Sequence, residues 1–328
     1  MIDGQTDPLD DALDDLRVSG SVLLHECYAP PWAIAVPDER RLRTLLQVQS
    51  DVRVLVFHYV RRESFDLTIA ANKSVTVGTS ELAICPSGDA HLIGCGIGST
   101  VMPLEAILRR ESPARVDRGT KGATECVCGV FVVRAAPLNP MLSALPPIIK
   151  VATSGVAVTS MLAGVAELLA RELDRGALNT YTAARLLEVL CAEAIRAYQQ
   201  SEGSAVPGWF KGLADPRVAK AIRQIHAEPS TDWTVGSLAS KVALSPSRFA
   251  ARFRELTGQS VMHYVARWRA NIACRMLTET NLQLGEIANR AGYDSLPAFS
   301  RAFKNQIGLP PAAWRAERQV LHYQTGLT

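Results

Sequence analysis

The strongest constraint on the fold of this 328-residue chain is a fourteen-residue pattern that occurs twice in its last third. Residues 245–258, SPSRFAARFRELTG, align with residues 295–308, SLPAFSRAFKNQIG, fifty positions further on. Serine, two phenylalanines and a glycine recur in register, and a short apolar stretch precedes each copy, at 235–243 and at 284–291. Phenylalanines four positions apart lie on one face of a helix. The repeat therefore predicts two helix-turn-helix units, in each of which two helices share a small core.

The outward faces of the two longer helices carry polar and basic side chains. Each helix follows a serine, Ser245 or Ser295, which is well placed to cap the first free backbone N–H groups. Arginine can bond a guanine edge through two N–H groups, serine and asparagine can bond bases or phosphates, and lysine neutralises phosphate. We therefore predict DNA contacts from Ser245, Ser247, Arg248, Ala251, Arg252, Arg254, Ser295, Pro297, Ser300, Arg301, Lys304 and Asn305.

A connecting helix is predicted between the two units. Residues 261–278 carry apolar side chains three or four positions apart, at Val261, Tyr264, Val265, Trp268, Ile272 and Met276. A helix of this length spans about 27 Å, and one turn of DNA is about 34 Å long. Such a strut would hold two recognition helices against successive segments of the major groove.

Charge is distributed unevenly along the chain. The formal net charge is +3, but residues 215–318 contain fifteen Lys and Arg against eight Asp and Glu, whereas the remainder contains twenty against twenty-four. Positive charge concentrated in one module is typical of a surface that binds phosphate, although a solvated basic surface has the same signature. The charge pattern therefore favours a C-terminal module that binds nucleic acid.

The two units and the strut together resemble the DNA-binding domain of the AraC/XylS family of transcription regulators. The first half of that domain is similar to Leu238-Ala239 through Ser245-Pro-Ser-Arg-Phe249 to Thr257-Gly258, and the second half to Glu286-Ile-Ala288 through Gly292-Tyr-Asp-Ser295 to Trp314-Arg315. Val261 stands where the family usually has proline, and Gly285 where a better helix former is common. The resemblance implies a sequence-specific transcription regulator that binds double-stranded promoter DNA and, if it is an activator, RNA polymerase.

The first half of the chain has the pattern of a β-sheet domain. Runs rich in β-branched and aromatic residues are separated by turn formers such as Gly78-Thr-Ser80, and they occur at 52–60, 65–69, 75–77, 82–85 and 124–133. Many short strands with Gly and Pro turns are typical of a small barrel or jelly roll. Two amphipathic helices are then predicted, at 156–175 and 180–200, followed by a polar linker at 199–208.

This strand-rich half resembles the cupin-type ligand domain found in one branch of the AraC/XylS family. The resemblance rests on Phe57-His-Tyr-Val60, on Gly78 through Cys85-Pro-Ser-Gly-Asp-Ala-His91, on Leu145-Pro-Pro147 and on Trp209 through Pro216. It implies an α+β fold, with an N-terminal cupin-like β-barrel, a helix pair, and an all-α domain with two helix-turn-helix units. The predicted domains are a sensor domain at 1–150, a helical dimerisation segment and linker at 151–204, and the DNA-binding domain at 205–328.

The barrel is predicted to bind a small effector, and the helix pair to form a homodimer. A barrel mouth with a few polar groups commonly binds a small molecule, and the candidate lining residues are His58, Arg61, Arg62 and His91. The two arginines could hold a carboxylate or a phosphate, or they could be a solvated pair in a strand turn. Some cupin-type regulators of this family bind cyclic dinucleotides, so the resemblance extends to an effector such as c-di-GMP.

Two other functional classes are alternatives to the regulator. A cupin enzyme with an accessory DNA-binding domain would need a His-x-His motif with a nearby Glu, but residues 46–51, ahead of His58, contain no histidine. Two histidines seldom hold a catalytic metal. A sensor of DNA alkylation would need cysteines at zinc spacing, and Cys126-Val-Cys128 has no such partners nearby. We therefore predict no catalytic residue, no metal ligand and no cofactor.

The chain is expected to act in the cytoplasm. It has no apolar run of eighteen residues, so no membrane contact is predicted, and its acidic first residues lack the pattern of a secretion signal. Its seven cysteines are an odd, scattered set and make a poor disulfide framework. Cys126 and Cys128 would share one face of a strand, where they could bind a soft metal or react with oxidants, but burial in a core is the simpler interpretation.

Overall fold

The computed structural model describes residues 8–14, 16–48, 52–69, 73–134, 138–155, 160–201 and 208–317. The strands are β1 (Arg17–Tyr28), β2 (Trp32–Val36), β3 (Arg53–Arg62), β4 (Phe65–Ile69), β5 (Lys73–Val77), β6 (Glu81–Cys85), β7 (His91–Cys95), β8 (Val101–Pro103), β9 (Arg115–Val116), β10 (Thr124–Arg134) and β11 (Ile149–Ala152). The helices are α1 (Pro8–Asp14), α2 (Glu39–Leu46), α3 (Leu104–Leu108), α4 (Pro140–Ala144), α5 (Ser160–Asp174), α6 (Tyr181–Ser201), α7 (Trp209–Ala214), α8 (Pro216–Ala227), α9 (Val235–Lys241), α10 (Pro246–Thr257), α11 (Val261–Glu279), α12 (Leu284–Arg290) and α13 (Leu296–Ile307). A further helical stretch covers residues 311–317, and these elements form two compact units.

The first unit, which we call the two-sheet domain, contains strands β1–β11 with α2, α3, α5 and α6. One sheet has the order β11-β6-β3-β10-β1-β9 and the other has the order β5-β4-β7-β2-β8. Neighbouring strands are antiparallel except β2 and β8, which are parallel. Along β4, buried positions alternate with more exposed ones, because successive side chains of a strand point to opposite faces of the sheet. The buried side chains of both sheets form one apolar core.

The predicted fold class is confirmed, with one difference in the closure of the sheets. All five predicted runs are strands. They extend by one or two residues at some ends, and β3 begins one residue later than predicted. Within the described residues, no strand of one sheet is hydrogen-bonded to a strand of the other. The domain is therefore a two-sheet sandwich. The cupin resemblance implied a β-barrel, whereas the strand pattern allowed either a small barrel or a jelly roll.

The predicted helix pair is present as α5 and α6, and it packs on β1. A Cβ added at Gly20 would lie 2.3 Å from the Cβ of Leu187, so α6 lies directly against the strand backbone. The turn between the helices is fixed by Asn179, whose side chain accepts from the Val22 N–H at 2.9 Å and donates to the Val22 carbonyl at 3.1 Å. The predicted helical residues 156–159 lie outside the described residues, as do residues 202–207 of the predicted linker.

The second unit, which we call the helical domain, contains α1, α4 and α7–α13. The two predicted helix-turn-helix units are α9 with α10 and α12 with α13, and α11 is the predicted strut between them. Phe249 and Phe253 of α10 are fully buried, and Phe299 and Phe303 of α13 are fully buried in the equivalent position. The shared cores predicted from the repeat are therefore confirmed. No helix of the described residues is both long enough and apolar enough to cross a membrane.

Two short helices from the N-terminal half belong to the helical domain. Helix α1 packs on α8, and α4 packs on α7. Asn139 joins α1 to α4, because its side chain caps the N–H groups of Met141 and Leu142 while its amide donates to the Ala12 carbonyl at 3.2 Å. The predicted sensor domain at 1–150 contains both segments, whereas the contacts of the folded chain group them with α7–α13.

Candidate DNA-binding surface and effector site

The first recognition helix, α10, begins at a capped turn. Ser245 Oγ accepts a hydrogen bond from the Arg248 backbone N–H at 3.4 Å, which confirms the predicted N-cap. The preceding helix, α9, has a reciprocal cap between Thr234 and Ser237. Ala243, in the turn between the helices, adopts the left-handed region with φ of 55°. Capping at both helix starts fixes the direction in which α10 leaves the turn.

The second recognition helix, α13, begins in the same way, after a turn that contains a glycine. Ser295 Oγ accepts from the Ala298 N–H at 3.4 Å, again confirming the predicted cap. Gly292 has φ of 83°, and a Cβ at this position would lie 2.7 Å from the Pro229 carbonyl oxygen and 2.8 Å from the Ser230 Cα. Glycine is therefore required here both for its backbone conformation and for the close approach of a neighbouring backbone.

The residues predicted to contact DNA share one property, which is solvent exposure on α10 and α13. Eleven of the twelve are exposed, and Ser300 is partly buried. Opposite them on each helix lie the buried phenylalanines, so each recognition helix has one packed face and one free polar face. Four cationic side chains lie on these free faces, namely Arg248, Arg254, Arg301 and Lys304.

Arg252 differs from the other basic residues of α10, because its guanidinium forms an ion pair within the domain. It bonds the carboxylate of Asp215, and the Nε–Oδ2 distance is 2.9 Å. Asp215 also caps α8 by accepting from the Arg217 and Val218 N–H groups. Burial works against its charge, but the bonds from Arg252 and from these N–H groups outweigh burial and keep the pKa of Asp215 below its ordinary value. Arg252 therefore joins the start of α8 to α10.

The strut α11 connects the two helix-turn-helix units through one arginine. Arg269 donates to the carbonyls of Pro229 and Thr231, in each case at 2.8 Å. Its guanidinium also lies 5.5 Å from the ring centre of Tyr293, in the second turn. A single side chain thus contacts the loop before α9 and the turn before α13.

The first half of the helical domain contains a buried polar cluster around the start of α11. Tyr264 Oη accepts from Trp209 Nε1 at 2.9 Å and lies 2.8 Å from His226 Nε2. The His226 ring stacks on Trp268 with 3.6 Å between ring centres. Asp11, in α1, lies 3.8 Å from His226 Nδ1. Burial lowers the pKa of His226, with Asp11 acting in the opposite direction, so the imidazole is held neutral inside the domain.

In the two-sheet domain, two of the predicted effector residues lie in one ion-pair cluster. Arg61 and Arg62 both bond Glu125, at 3.1 Å and 2.8 Å, and Arg61 forms a two-pronged bond with Asp174 of α5, at 2.6 Å and 2.9 Å. His25 Nε2 lies 3.0 Å from the same Glu125. Burial opposes the charge of Glu125, but the bonds from His25 and Arg62 hold the pKa of this carboxyl below its ordinary value. Both arginines therefore have carboxylate partners.

The other two predicted effector residues, His58 and His91, contact each other inside the core. Their Nε2 atoms are 2.8 Å apart, and both residues are buried. Burial lowers the pKa of both imidazoles, so both are neutral. The space beside His58 amounts to about 10 Å³, which holds no more than a water molecule. The structure thus separates the predicted effector residues into an arginine pair and a closed histidine pair.

A larger cavity lies next to the ion-pair cluster, and sequence reasoning missed it. Its volume is about 560 Å³, and it is lined by residues of β1, of the segment 110–120 and of the turn between α5 and α6: His25, Glu26, Arg110, Arg115, Val116, Asp117, Arg118, Thr120, Gly176 and Leu178. Arg115 is paired with Glu26 at 2.5 Å, and Arg118 donates to the His25 carbonyl at 3.3 Å. Arg110 forms no ion pair with another described residue. The lining is therefore polar and carries more positive than negative side chains.

The metal set of cupin enzymes does not fit this chain. That set requires two histidines one residue apart and a nearby glutamate, whereas β3 supplies His58 alone. Glu125, a buried glutamate near the start of β10, bonds His25, Arg61 and Arg62 instead. No step of a metal-dependent cupin reaction can therefore be assigned to these residues.

Two protein families match the chain. A cupin family matches residues 7–200, and a helix-turn-helix domain family matches residues 238–317. A putative AraC-like transcription regulator from Streptomyces antibioticus is 36% identical over 318 residues, which is 94% of this chain and 98% of that protein. A second putative AraC-like transcription regulator, from Streptomyces lividans, is also 36% identical, over 56% of this chain and 60% of its own length.

Among solved structures, the chain is similar to the DNA-binding domain of the transcription factor AdpA, which was crystallised with a target DNA. The similarity covers 98% of that domain and 34% of this chain, with 30% identity and a TM-score of 0.32.

Proposed function

The chain belongs to the AraC-like transcription regulators that carry an N-terminal cupin domain, and on this premise we propose that α10 and α13 read promoter sequence under the control of a small anionic effector. The protein would act without catalysis, in the cytoplasm, as a homodimer.

The observation that carries the DNA-binding part is the pairing of two capped helices on one strut, each with a polar, basic face left exposed. A single helix-turn-helix can be a simple packing motif, but packing alone does not require two free basic faces. We propose Arg248, Arg254, Arg301, Lys304 and Asn305 as principal contacts, with Ser245, Ser247, Ala251, Ser295, Pro297 and Ser300 beside them. Arg252 supports this surface through Asp215.

This function is tested by binding of the full-length chain to genomic fragments across a salt series. We expect a few discrete fragments to be retained, with an affinity that falls steeply as salt increases, because each neutralised phosphate contributes about −0.9 to the logarithmic slope. Equal retention of all fragments at every salt concentration would contradict sequence-specific recognition.

The effector is proposed to bind in the 560 Å³ cavity of the two-sheet domain. This volume suits a small molecule, and Arg110, Arg115 and Arg118 suit a carboxylate or phosphate group. His25 links the cavity to the Glu125 cluster, which contains two of the effector residues predicted from the sequence, Arg61 and Arg62.

A route from the effector to the helix pair is provided by the same cavity. Gly176 and Leu178, in the turn between α5 and α6, line it. Asp174, at the end of α5, holds Arg61 at 2.6 Å. A ligand in the cavity would contact this turn and would compete with Asp174 for the Arg61 guanidinium. The position of the helix pair on β1 would change as a result. Effector binding would then shift the chain between two arrangements.

The effector proposal is tested by titrating carboxylates, sugar phosphates and a cyclic dinucleotide while the melting temperature is followed. We expect Arg118→Ala to abolish the ligand-induced increase in melting temperature, because it removes a cation from the cavity wall. Arg40→Ala, an exposed arginine outside the cavity, is the matched control and should respond as the native chain does. An unchanged ligand response in Arg118→Ala would place the effector elsewhere.

The homodimer is proposed to form through α5 and α6. Large hydrophobic side chains on these helices are strongly exposed, namely Met161 at 57%, Leu168 at 53%, Tyr181 at 79% and Val189 at 43%. Met161 and Leu168 are seven positions apart and therefore share one helix face. A second copy of the same helix pair is the occupant that fits this face, because an isologous contact buries the same patch twice.

A further inference from the structure

The core of the two-sheet domain contains a cluster of nitrogen and sulfur atoms that neither the proposed function nor the cupin metal set uses. His58 lies on β3, Cys85 at the end of β6 and His91 at the start of β7. One donor atom from each of these residues lies within 4.8 Å of the other two. The two Nε2 atoms are 2.8 Å apart, and Cys85 Sγ lies 3.9 Å from His91 Nε2. All three residues are buried.

The hydrogen bonds behind the cluster fix which atoms face it. His91 Nδ1 lies 3.0 Å from the Asp89 carbonyl oxygen, which can only accept. Nδ1 therefore carries the proton, and Nε2 presents a lone pair to the cluster. On the opposite side, His58 Nδ1 lies 3.0 Å from Cys128 Sγ. A thiol can either donate to this nitrogen or accept from it, so His58 can hold its proton on either side.

From this arrangement we propose that His58 Nε2, Cys85 Sγ and His91 Nε2 form a binding site for one cuprous ion. Imidazole and thiolate donors suit soft or borderline ions, and the absence of an oxygen donor excludes Mg²⁺ and Ca²⁺. A univalent ion with one thiolate is neutral overall, whereas Zn²⁺ with the same donors would leave a net positive charge in an apolar core. Because no carboxylate belongs to the donor set found in the described residues, the univalent ion fits better.

The site requires only small movements to accept a metal. Metal–nitrogen bonds of about 2.0–2.1 Å and a metal–sulfur bond of about 2.3 Å, at tetrahedral to trigonal angles, place the donors about 3.3–3.8 Å apart. The imidazoles therefore need to separate by roughly half an ångström, while the sulfur is already at a suitable distance from His91. The residues lining the adjacent space, among them Leu24, Val56 and Ile93, are apolar and would exclude water from the bound ion.

The protons balance in this step. Cysteine binds a metal as the thiolate, so the ion displaces the Cys85 thiol proton, which leaves to solvent. The His58 proton moves from Nε2 to Nδ1, where Cys128 Sγ accepts a hydrogen bond from it. One metal–sulfur and two metal–nitrogen bonds form, and no oxidant or reductant takes part. Cys128 thus orients His58 and is not itself a ligand.

The test is an anaerobic titration of the reduced, metal-free, full-length chain with Cu⁺ in competition with a chromogenic chelator. We expect one ion per chain, and we expect Cys85→Ser to weaken binding at least a hundredfold. Cys191→Ser is the matched control, since Cys191 is an equally buried thiol on α6, outside the cluster, and it should bind as the native chain does. Full affinity in Cys85→Ser would overturn the proposal, as would binding of Zn²⁺ in preference to Cu⁺.

X-ray absorption of the loaded native chain gives a second readout that does not depend on whether a variant folds. The proposal requires one sulfur and two imidazole nitrogens around the copper. Two sulfurs would instead point to the Cys126 and Cys128 thiols of β10 and would overturn the donor assignment. The site stands independently of DNA binding, because neither measurement involves DNA.

Discussion

Three arginines on α10 have different surroundings, although the sequence pattern of the repeat predicts the same exposed position for all of them. Arg248 and Arg254 extend from the exposed face, whereas the Arg252 guanidinium is held by Asp215 at the start of α8. A bond to a partner in another helix cannot be deduced from spacing, because Asp215 is thirty-seven positions away. The outer face of α10 is basic, as predicted. Which of its arginines is free and which forms an ion pair depends on tertiary contacts.

Replacing the exposed arginines should affect sequence recognition specifically. We expect Arg248→Ala or Arg301→Ala to weaken binding to a specific site by about 1–3 kcal/mol, and binding to random DNA much less, if each reaches a base edge. Arg252→Ala should mainly lower thermal stability, and Lys220→Ala, an exposed cation on α8, is the control. Gel-shift titrations on both DNAs measure the difference, and equal losses on the two DNAs would make Arg248 and Arg301 phosphate contacts.

Gly292 allows a direct measurement of how tightly the second turn packs. Gly292→Ala places a Cβ within 2.8 Å of two backbone atoms and also retains a positive φ, so we expect it to destabilise the helical domain by more than 2 kcal/mol, roughly. Gly258→Ala is the matched control, because its φ of 75° is similar while its Cβ would meet nothing within 4 Å. It should cost only about 1 kcal/mol. Similar melting temperatures for the two variants would show that the neighbouring loop yields easily.

At the scale of elements, the helix pair provides a test of the dimer. Leu168→Lys introduces a charge into the exposed apolar face of α5, and we expect it to convert the protein to a monomer in analytical ultracentrifugation, because a buried, unpaired lysine is unfavourable. Ile97→Lys is the control, since Ile97 is a fully exposed apolar residue in the loop between β7 and β8. A monomeric native chain, or a dimer that persists in Leu168→Lys, would rule out this interface.

Sequence patterns predicted the elements that have a clear apolar pattern, whether short or long, but the twelve-residue strand β1 was not among the predicted runs. The strands at 52–60 and 124–133 and the helices of the repeat are confirmed because their apolar periodicity is extensive. Helices α1, α3 and α4 are only five to seven residues long, and their helical state depends on packing against distant elements. The cavity lining was also missed, because Arg110 and Arg118 lie in connecting segments that have no apolar periodicity.

The predicted effector residues show which features of the two-sheet domain cannot be deduced from the sequence. His58 and His91 were predicted as lining residues of an effector pocket, and in the structure they contact each other in the core. The third member of their cluster, Cys85, is adjacent to them only because β6 pairs with β3 in a specific register. That register brings Ala83 opposite His58, and no local pattern in β6 reports it.

At the scale of the whole molecule, stability should decrease when the solution becomes mildly acidic. Burial lowers the pKa of His25, His58, His91 and His226 in the folded chain. An unfolded histidine has a pKa of about 6.5, so below this pH the unfolded chain binds more protons than the folded one, and folding loses free energy as the pH falls further. Above pH about 7, histidines are neutral in both the unfolded and the folded chain, so this loss of stability is absent.

Urea unfolding at pH values between 7.5 and 5 measures this loss. We expect the midpoint to fall steadily below pH about 6.5, and His226→Gln to flatten the decline for the helical domain, because glutamine can still bond Tyr264 but does not titrate. A pH profile of the variant that is parallel to that of the native chain would show that His226 contributes nothing to it.

Because α1 and α4 belong to the helical domain, a truncated chain that lacks them is not equivalent to that domain. A fragment beginning at residue 205 retains both helix-turn-helix units but loses the helices that cover α7 and α8, together with the Asp11 carboxylate beside His226. Such a fragment would expose an apolar surface that the intact protein covers, and its weak or non-specific behaviour would reflect the excision rather than the regulator. A minimal DNA-binding protein would therefore have to include α1 and α4. They could be supplied in a circularly permuted chain or as a separate polypeptide that reassembles with α7–α13.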